Sequence, residues 1–133
     1  MRVDFYEMAG RVQDPLEVAA VLVGKAWPET RDIAVVGAAP QLAEFDDRLW
    51  KVPSGRFLPH GIGDELAPIR LLESAPASAA LLINLDPAGP MPEGRFERVL
   101  EIVPPEESAR AHLRERWKAW TSAGAELHHH KLK

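Results

Sequence analysis

The sequence predicts an α/β domain built on a largely parallel sheet, with helices packed on its faces. Strand-like and helix-like segments alternate along the chain, the connections between them are short, and runs such as Asp32 to Val36 are compact and apolar in the manner of fully buried strands. A length of 133 residues suits one hydrophobic core and hardly two. A single unit over residues 1–127 is therefore expected.

Taken in order, Val3 to Tyr6 reads as a short strand. Asp14-Pro15-Leu16-Glu17 then starts a helix, with Asp14 as N-cap, Pro15 in the first turn and Glu17 three residues on. Leu16, Ala19, Ala20 and Val23 give that helix one apolar stripe to about Ala26, and Pro28 bars continuation. Asp32 to Val36 is the next strand. Gly37-Ala38-Ala39-Pro40 turns it into a helix from about Pro40 to Trp50, with Leu42, Phe45 and Leu49 inside and Trp50 rotated roughly 80° from Leu42 to the margin of the stripe. Arg56 to Pro59 is extended, Phe57 and Pro59 on one side and Leu58 on the other. Ile69 to Glu73 and Ala80 to Leu85 are strands separated by Ser74-Ala75-Pro76. After a Pro/Gly-rich loop from Asp86 to Gly94, Phe96 to Val103 forms a further strand. Pro104-Pro105-Glu106-Glu107 opens the last helix with acids where the dipole favours them, and Gly124 stops it. Residues 128–133, containing His128-His129-His130, read as a disordered charged tail.

Composition removes several function classes. With 46% hydrophobic and 27% charged residues the chain is of ordinary globular type, and no apolar run approaches membrane-spanning length. The N-terminus leads into a strand without the features of a secretory signal. Zero cysteines exclude thiolate catalysis and thiolate metal sites, and fit a reducing cytoplasm. A formal charge of −4 argues against general affinity for phosphate backbones, so any link to DNA is expected to be indirect.

Catalytic and cofactor motifs fare poorly. Gly61-Ile62-Gly63 has two of the three glycines of a dinucleotide fingerprint and follows no clear buried strand, while Gly37 has no Lys-Ser or Lys-Thr after it. Asn84 and Asp86 lie near a strand's C-terminal end without an evident His, Ser or second carboxylate. Three adjacent imidazoles are poor geometry for a dedicated metal site, and neither His60 nor His112 has a ligand partner at recognisable spacing. No cofactor or metal is expected.

The informative feature lies elsewhere. Arg110, Arg114 and Lys118 recur at i, i+4 and i+8 of the last helix, a row of like charges unfavourable by a few tenths of a kcal/mol per pair. An anion beside the row removes that penalty. Trp117 borders it, so one helix offers cations for a carboxylate and an indole face for an apolar side chain, a combination suited to an acidic peptide. Trp50, Phe57, Trp117 and Trp120 stand where core packing does not ask for large aromatics. The plainer reading makes Trp50 and Trp117 core residues, Phe57 a buried anchor, and the row a solvated face paired with Glu106, Glu107 and Glu115.

Across nearly its whole length the chain resembles the chi subunit family of bacterial DNA polymerase III. The resemblance rests on Val3-Asp4-Phe5-Tyr6, on Leu49-Trp50 followed by Phe57-Leu58-Pro59-His60, and on Val103-Pro104 leading to Arg114-Glu115-Arg116-Trp117-Lys118-Ala119-Trp120. It implies a Rossmann-like three-layer fold with no enzymatic task of its own. It further implies a cytoplasmic accessory subunit of the clamp-loader assembly that joins a psi-like subunit and binds the acidic C-terminal tail of single-stranded DNA-binding protein. By position, Arg110, Arg114 and Lys118 would hold the tail's carboxylates, and Trp50, Phe57, Pro59, Val103 and Trp117 would wall a pocket for its terminal Phe. Trp117 and Trp120 stand where relatives often have Tyr, and Arg110 where they often have Lys, which alters hydrogen-bond geometry while keeping charge and aromatic surface. A nucleotide-binding enzyme of the same fold class and a direct single-stranded DNA binder using Trp and Arg are the alternatives.

Overall fold

Strands that are apolar on both sides need cover on both faces, and the computed structural model supplies it, among the described residues, with three helices. It describes residues 1–51 and 58–132, so the expectation for Phe57 lies outside the described residues. In chain order the elements are β1 (Arg2–Met8), α1 (Pro15–Ala26), β2 (Ile33–Val36), α2 (Ala39–Trp50), β3 (His60–Ile62), β4 (Ile69–Leu72), β5 (Ser78–Asn84), β6 (Arg95–Val103), α3 (Glu107–Ser122) and β7 (Glu126–Leu132). Among the described residues the strands form one sheet in the order β3-β4-β2-β5-β6-β1-β7, and every pairing is parallel.

Handedness decides which face each helix covers. The connections through α1 and α2 step toward the β3 edge, whereas the connection through α3 steps from β6 toward β7. Right-handed crossovers travelling in opposite directions put their helices on opposite faces. Accordingly Leu16, Val23, Leu42 and Phe45 pack with Ile33, Ile69, Ile83 and Ile102 in one core layer. Ala109 and Trp120 pack with Val3, Phe5, Leu82 and Val99 in the other. Local signals agree with this plan: the Asp14 side chain accepts from Leu16 N–H at 3.1 Å, and all four residues of β2 are buried.

The strand at residues 60–62 went unanticipated because two glycines in a triplet read as a turn, yet the segment pairs with β4 from His60 to Ile62. A larger correction concerns the C-terminus. Residues expected to be disordered form most of β7, an edge strand in register with all seven residues of β1. Its composition carries no apolar period, but the neighbouring strand supplies what the imidazoles need. His130 stacks on Tyr6 at 4.8 Å with Nε2 2.8 Å from Asp4, and His129 Nε2 lies 3.2 Å from Glu7. The preceding reversal is a Schellman-type cap: Gly124 has φ of 83°, its N–H donates to Thr121 O at 3.0 Å, and Ala125 N–H donates to Trp120 O at 3.1 Å.

Asp4 is fully buried among Arg2, Arg98 and His130. Burial pushes its carboxyl up, but hydrogen bonds from Arg2, His130 and Arg98 outweigh burial and hold it down at about 2. The folded form thus binds a proton less readily than the unfolded chain, so this stabilisation is present above the ordinary carboxylate range and lost as pH falls toward 2. After discounting for the half-exposed partners it amounts to about 1–2 kcal/mol. Asp4→Asn should lower stability at pH 7 and flatten the fall in urea midpoint between about pH 4 and pH 2. Gly124→Ala, strained by the left-handed backbone, should lose about 1 kcal/mol in the same measurement.

Candidate functional site

The inner face of α3 is set by Ala109, Leu113, Arg116 and Trp120, spaced at 4, 3 and 4 residues along the helix. Two of these carry polar tips and both are buried. Trp120 Nε1–H donates to Glu101 Oε2 at 2.8 Å, and Asn84 Nδ2–H donates to Glu101 Oε1 at 2.5 Å. Burial raises the Glu101 pKa, against the lowering influence of Trp120, Arg116 and Asn84. Arg116 donates to the carbonyls of Pro87 (3.3 Å), Pro90 (2.9 Å) and Gly89, and so staples the loop between β5 and β6 to α3.

This inner face corrects two expectations. Trp120, read as a surface aromatic, is 3% exposed and belongs to the core. Asn84, read as lacking a carboxylate partner, has one in Glu101. Arg116 was missed altogether, although its place in register with Ala109, Leu113 and Trp120 marks it as inward-facing.

With the inner face fixed, Arg110, Arg114 and Lys118 project outward and are exposed. None forms an ion pair within 4 Å among the described residues, so Glu106, Glu107 and Glu115 do not neutralise the row. Trp117 lies at the margin, 37% exposed, its ring 5.2 Å from Phe5 and 6.5 Å from His129. Leu113, Arg114, Trp117, Lys118 and His129 line an open, largely apolar groove of about 370 Å³ between α3 and β7. Arg110 sits one turn before Arg114, beyond the lining.

The other expected pocket residues are placed differently. Trp50 is 58% exposed at the end of α2, its ring 4.6 Å from that of His60, and Pro59 immediately precedes β3. His60 Nε2 lies 3.1 Å from Asp46 Oδ1. Helices α2 and α3 cover opposite faces, and β3 and β7 are opposite edges, so Trp50 and Pro59 do not share a pocket with Arg114 and Trp117. Val103, only 1% exposed, is core on the α3 side of the sheet. Of the expected pocket residues that are described, Trp50 and Pro59 thus lie apart from Arg110, Arg114, Trp117 and Lys118, and Val103 lies in the core between them.

At the carboxyl ends of the strands, where open parallel sheets hold ligands, Val36, Gly37, Asn84, Asp86 and Gly89 border a cavity of about 90 Å³. That is well below the roughly 300 Å³ at which small-molecule sites begin. A Cβ at Gly37 would meet Leu85 at 3.3 Å, so this glycine serves packing. Among the described residues no group of three or more His, Asp or Glu is placed to hold a metal ion, and no helix is long and apolar enough to cross a membrane. Strand alternation sends His128 and His130 to one face and His129 to the other.

Fold and surface together define a parallel α/β domain that presents a cationic, aromatic groove on its last helix. A family model described as DNA polymerase III chi subunit, HolC, matches residues 1–128. The DNA polymerase III subunit chi of Pseudomonas aeruginosa is 34% identical over 139 residues, covering 98% of this chain and 96% of its own length. That of Haemophilus influenzae is 26% identical over 110 residues, covering 77% and 76% respectively. The chain belongs to the DNA polymerase III chi subunit family.

Replacing Arg116 by Lys, which cannot fork to several carbonyls at once, should destabilise the fold by about 2 kcal/mol. Urea unfolding followed by tryptophan fluorescence checks this, with the midpoint falling at an unchanged slope.

Proposed function

We propose that this chain is a non-catalytic, cytoplasmic accessory subunit of the DNA polymerase III clamp-loader assembly. In this reading it grips the acidic C-terminal tail of single-stranded DNA-binding protein and joins that protein to the replisome through a psi-like subunit. DNA is engaged only through these partners. The observation that carries the reading is the row Arg110, Arg114 and Lys118, without ion-pair partners among the described residues, beside the half-exposed Trp117. Guanidinium groups bind carboxylates through charge-assisted, often bidentate hydrogen bonds, and the indole offers a wall for an apolar ring. Burial of that ring is worth on the order of 2 kcal/mol or more. The groove between α3 and β7 has room for one such ring, and several tails on one partner oligomer would add avidity.

The tail's last residue is assigned to Leu113, Arg114, Trp117 and Lys118, with Arg110 reaching acidic residues further back. Trp50 and Pro59 are given no part in that grip, since the sheet lies between. The small volume at the strand ends weighs against nucleotide binding, and the net charge against direct capture of single-stranded DNA.

A synthetic peptide with a run of Asp residues and a terminal Pro-Phe, titrated by calorimetry, should bind in the micromolar range and weaken as salt rises. Arg114→Ala and Trp117→Ala should each weaken it at least tenfold, while Trp50→Ala leaves it unchanged. Loss on Trp50→Ala would restore a single pocket built from both segments. Saturable binding of a nucleotide or of oligo-dT, with no response to the peptide, would overturn the proposal.

A further inference from the structure

Two grooves of this molecule meet at β7, one bordered by His129 and the other by Leu132. β7 ends the sheet, and its pairing with β1 runs through all seven residues without a bulge or proline. Glu126 N–H donates to Met1 O at 3.0 Å, so alternation turns the N–H and C=O of Leu127, His129 and Lys131 away from β1. An edge of this length and regularity is a template for another strand.

Both faces beside that edge are hollow. On the α3 side lies the groove already assigned to the tail. On the α1 side a larger one, about 580 Å³, is bordered by Tyr6, Val18, Val21, Leu22 and Leu132, with Val21 51% exposed. It exists because α1 packs against β6 and α2 rather than over the outermost strand. Strand addition uses such an arrangement: main-chain hydrogen bonds hold the incoming segment, and alternate side chains drop into a pocket.

Charge selects the occupant. Lys131 alternates with Leu132 and so lies on the face opposite the α1-side groove, where it makes no ion pair among the described residues and meets the side chains that alternate with those entering the groove. We propose that β7 is a strand-addition site for an extended segment of a partner protein, apolar at alternate positions and acidic between them. Its apolar side chains enter the α1-side groove. Its acidic side chains alternate onto the Lys131 face, and the site does not rest on the tail reading, because the groove that receives its apolar side chains is separate from the one assigned to the tail.

The probe is an acetylated seven-residue peptide alternating Val and Glu, titrated into the full chain, with Val/Lys and backbone N-methylated Val/Glu peptides beside it. The Val/Glu peptide should bind saturably and slow amide exchange at Leu127, His129 and Lys131 at least tenfold, and the other two should bind at least tenfold more weakly. Lys131→Pro removes an outward N–H without touching the bonds to β1. It and Val21→Glu should each weaken the Val/Glu peptide at least tenfold and leave the acidic tail peptide unaffected. Absent binding, equal binding of the Val/Lys peptide, insensitivity to Lys131→Pro in a folded variant, or a dimer of the chain that Lys131→Pro dissociates would each overturn the proposal.

Discussion

The surface chemistry of this protein depends on how α3 is seated, and the seat is a buried carboxylate. Glu101, at 0% exposure, is tolerable in the core only because donors converge on it, and Trp120 Nε1–H and Asn84 Nδ2–H do so from two directions. A helix packed through apolar contacts alone can slide or rotate at small expense. One anchored by a directional hydrogen bond at Trp120 and a guanidinium fork at Arg116 has one rotation. That rotation sends Arg110, Arg114 and Lys118 to solvent and leaves Trp117 half in and half out.

The same seat governs the chain beyond α3. Arg116 holds the loop between β5 and β6, and the cap at Gly124 reverses the chain so that β7 falls beside β1. Adding β7 completes hydrogen bonding along one side of β1 and moves the open edge out by one strand. The grooves on either side of β7 lie where α3 meets His129 on one face and α1 approaches Leu132 on the other. Electrostatics reinforces the arrangement, since Asp4 and Glu7 on β1 face the imidazoles that β7 brings.

Much of the architecture was legible from residues. The cap at Asp14, the stripe of α1, the apolar run of β2, the inner face of α2 and the stop at Gly124 are local events, decided by hydrogen bonding and periodicity within a few residues. β3 and β7 were not legible. His60-Gly61-Ile62 is too short and glycine-rich for a strand pattern, and Glu126 to Leu132 is too polar. Each is a strand because a neighbour distant in sequence offers it a ladder.

The candidate site divides along the same line. Spacing on one helix was enough to place Arg110, Arg114, Trp117 and Lys118 together, because helical geometry makes that a local fact. Whether Trp50 and Pro59 join them is set by the hand of two crossovers running in opposite directions, and whether Trp120 and Arg116 are surface or core is set by a carboxylate on β6. The order of residues determined the family, the helices and the cationic row. Only tertiary structure decided which face of the sheet each side chain meets, since that choice is made by chirality and by partners that no local pattern contains.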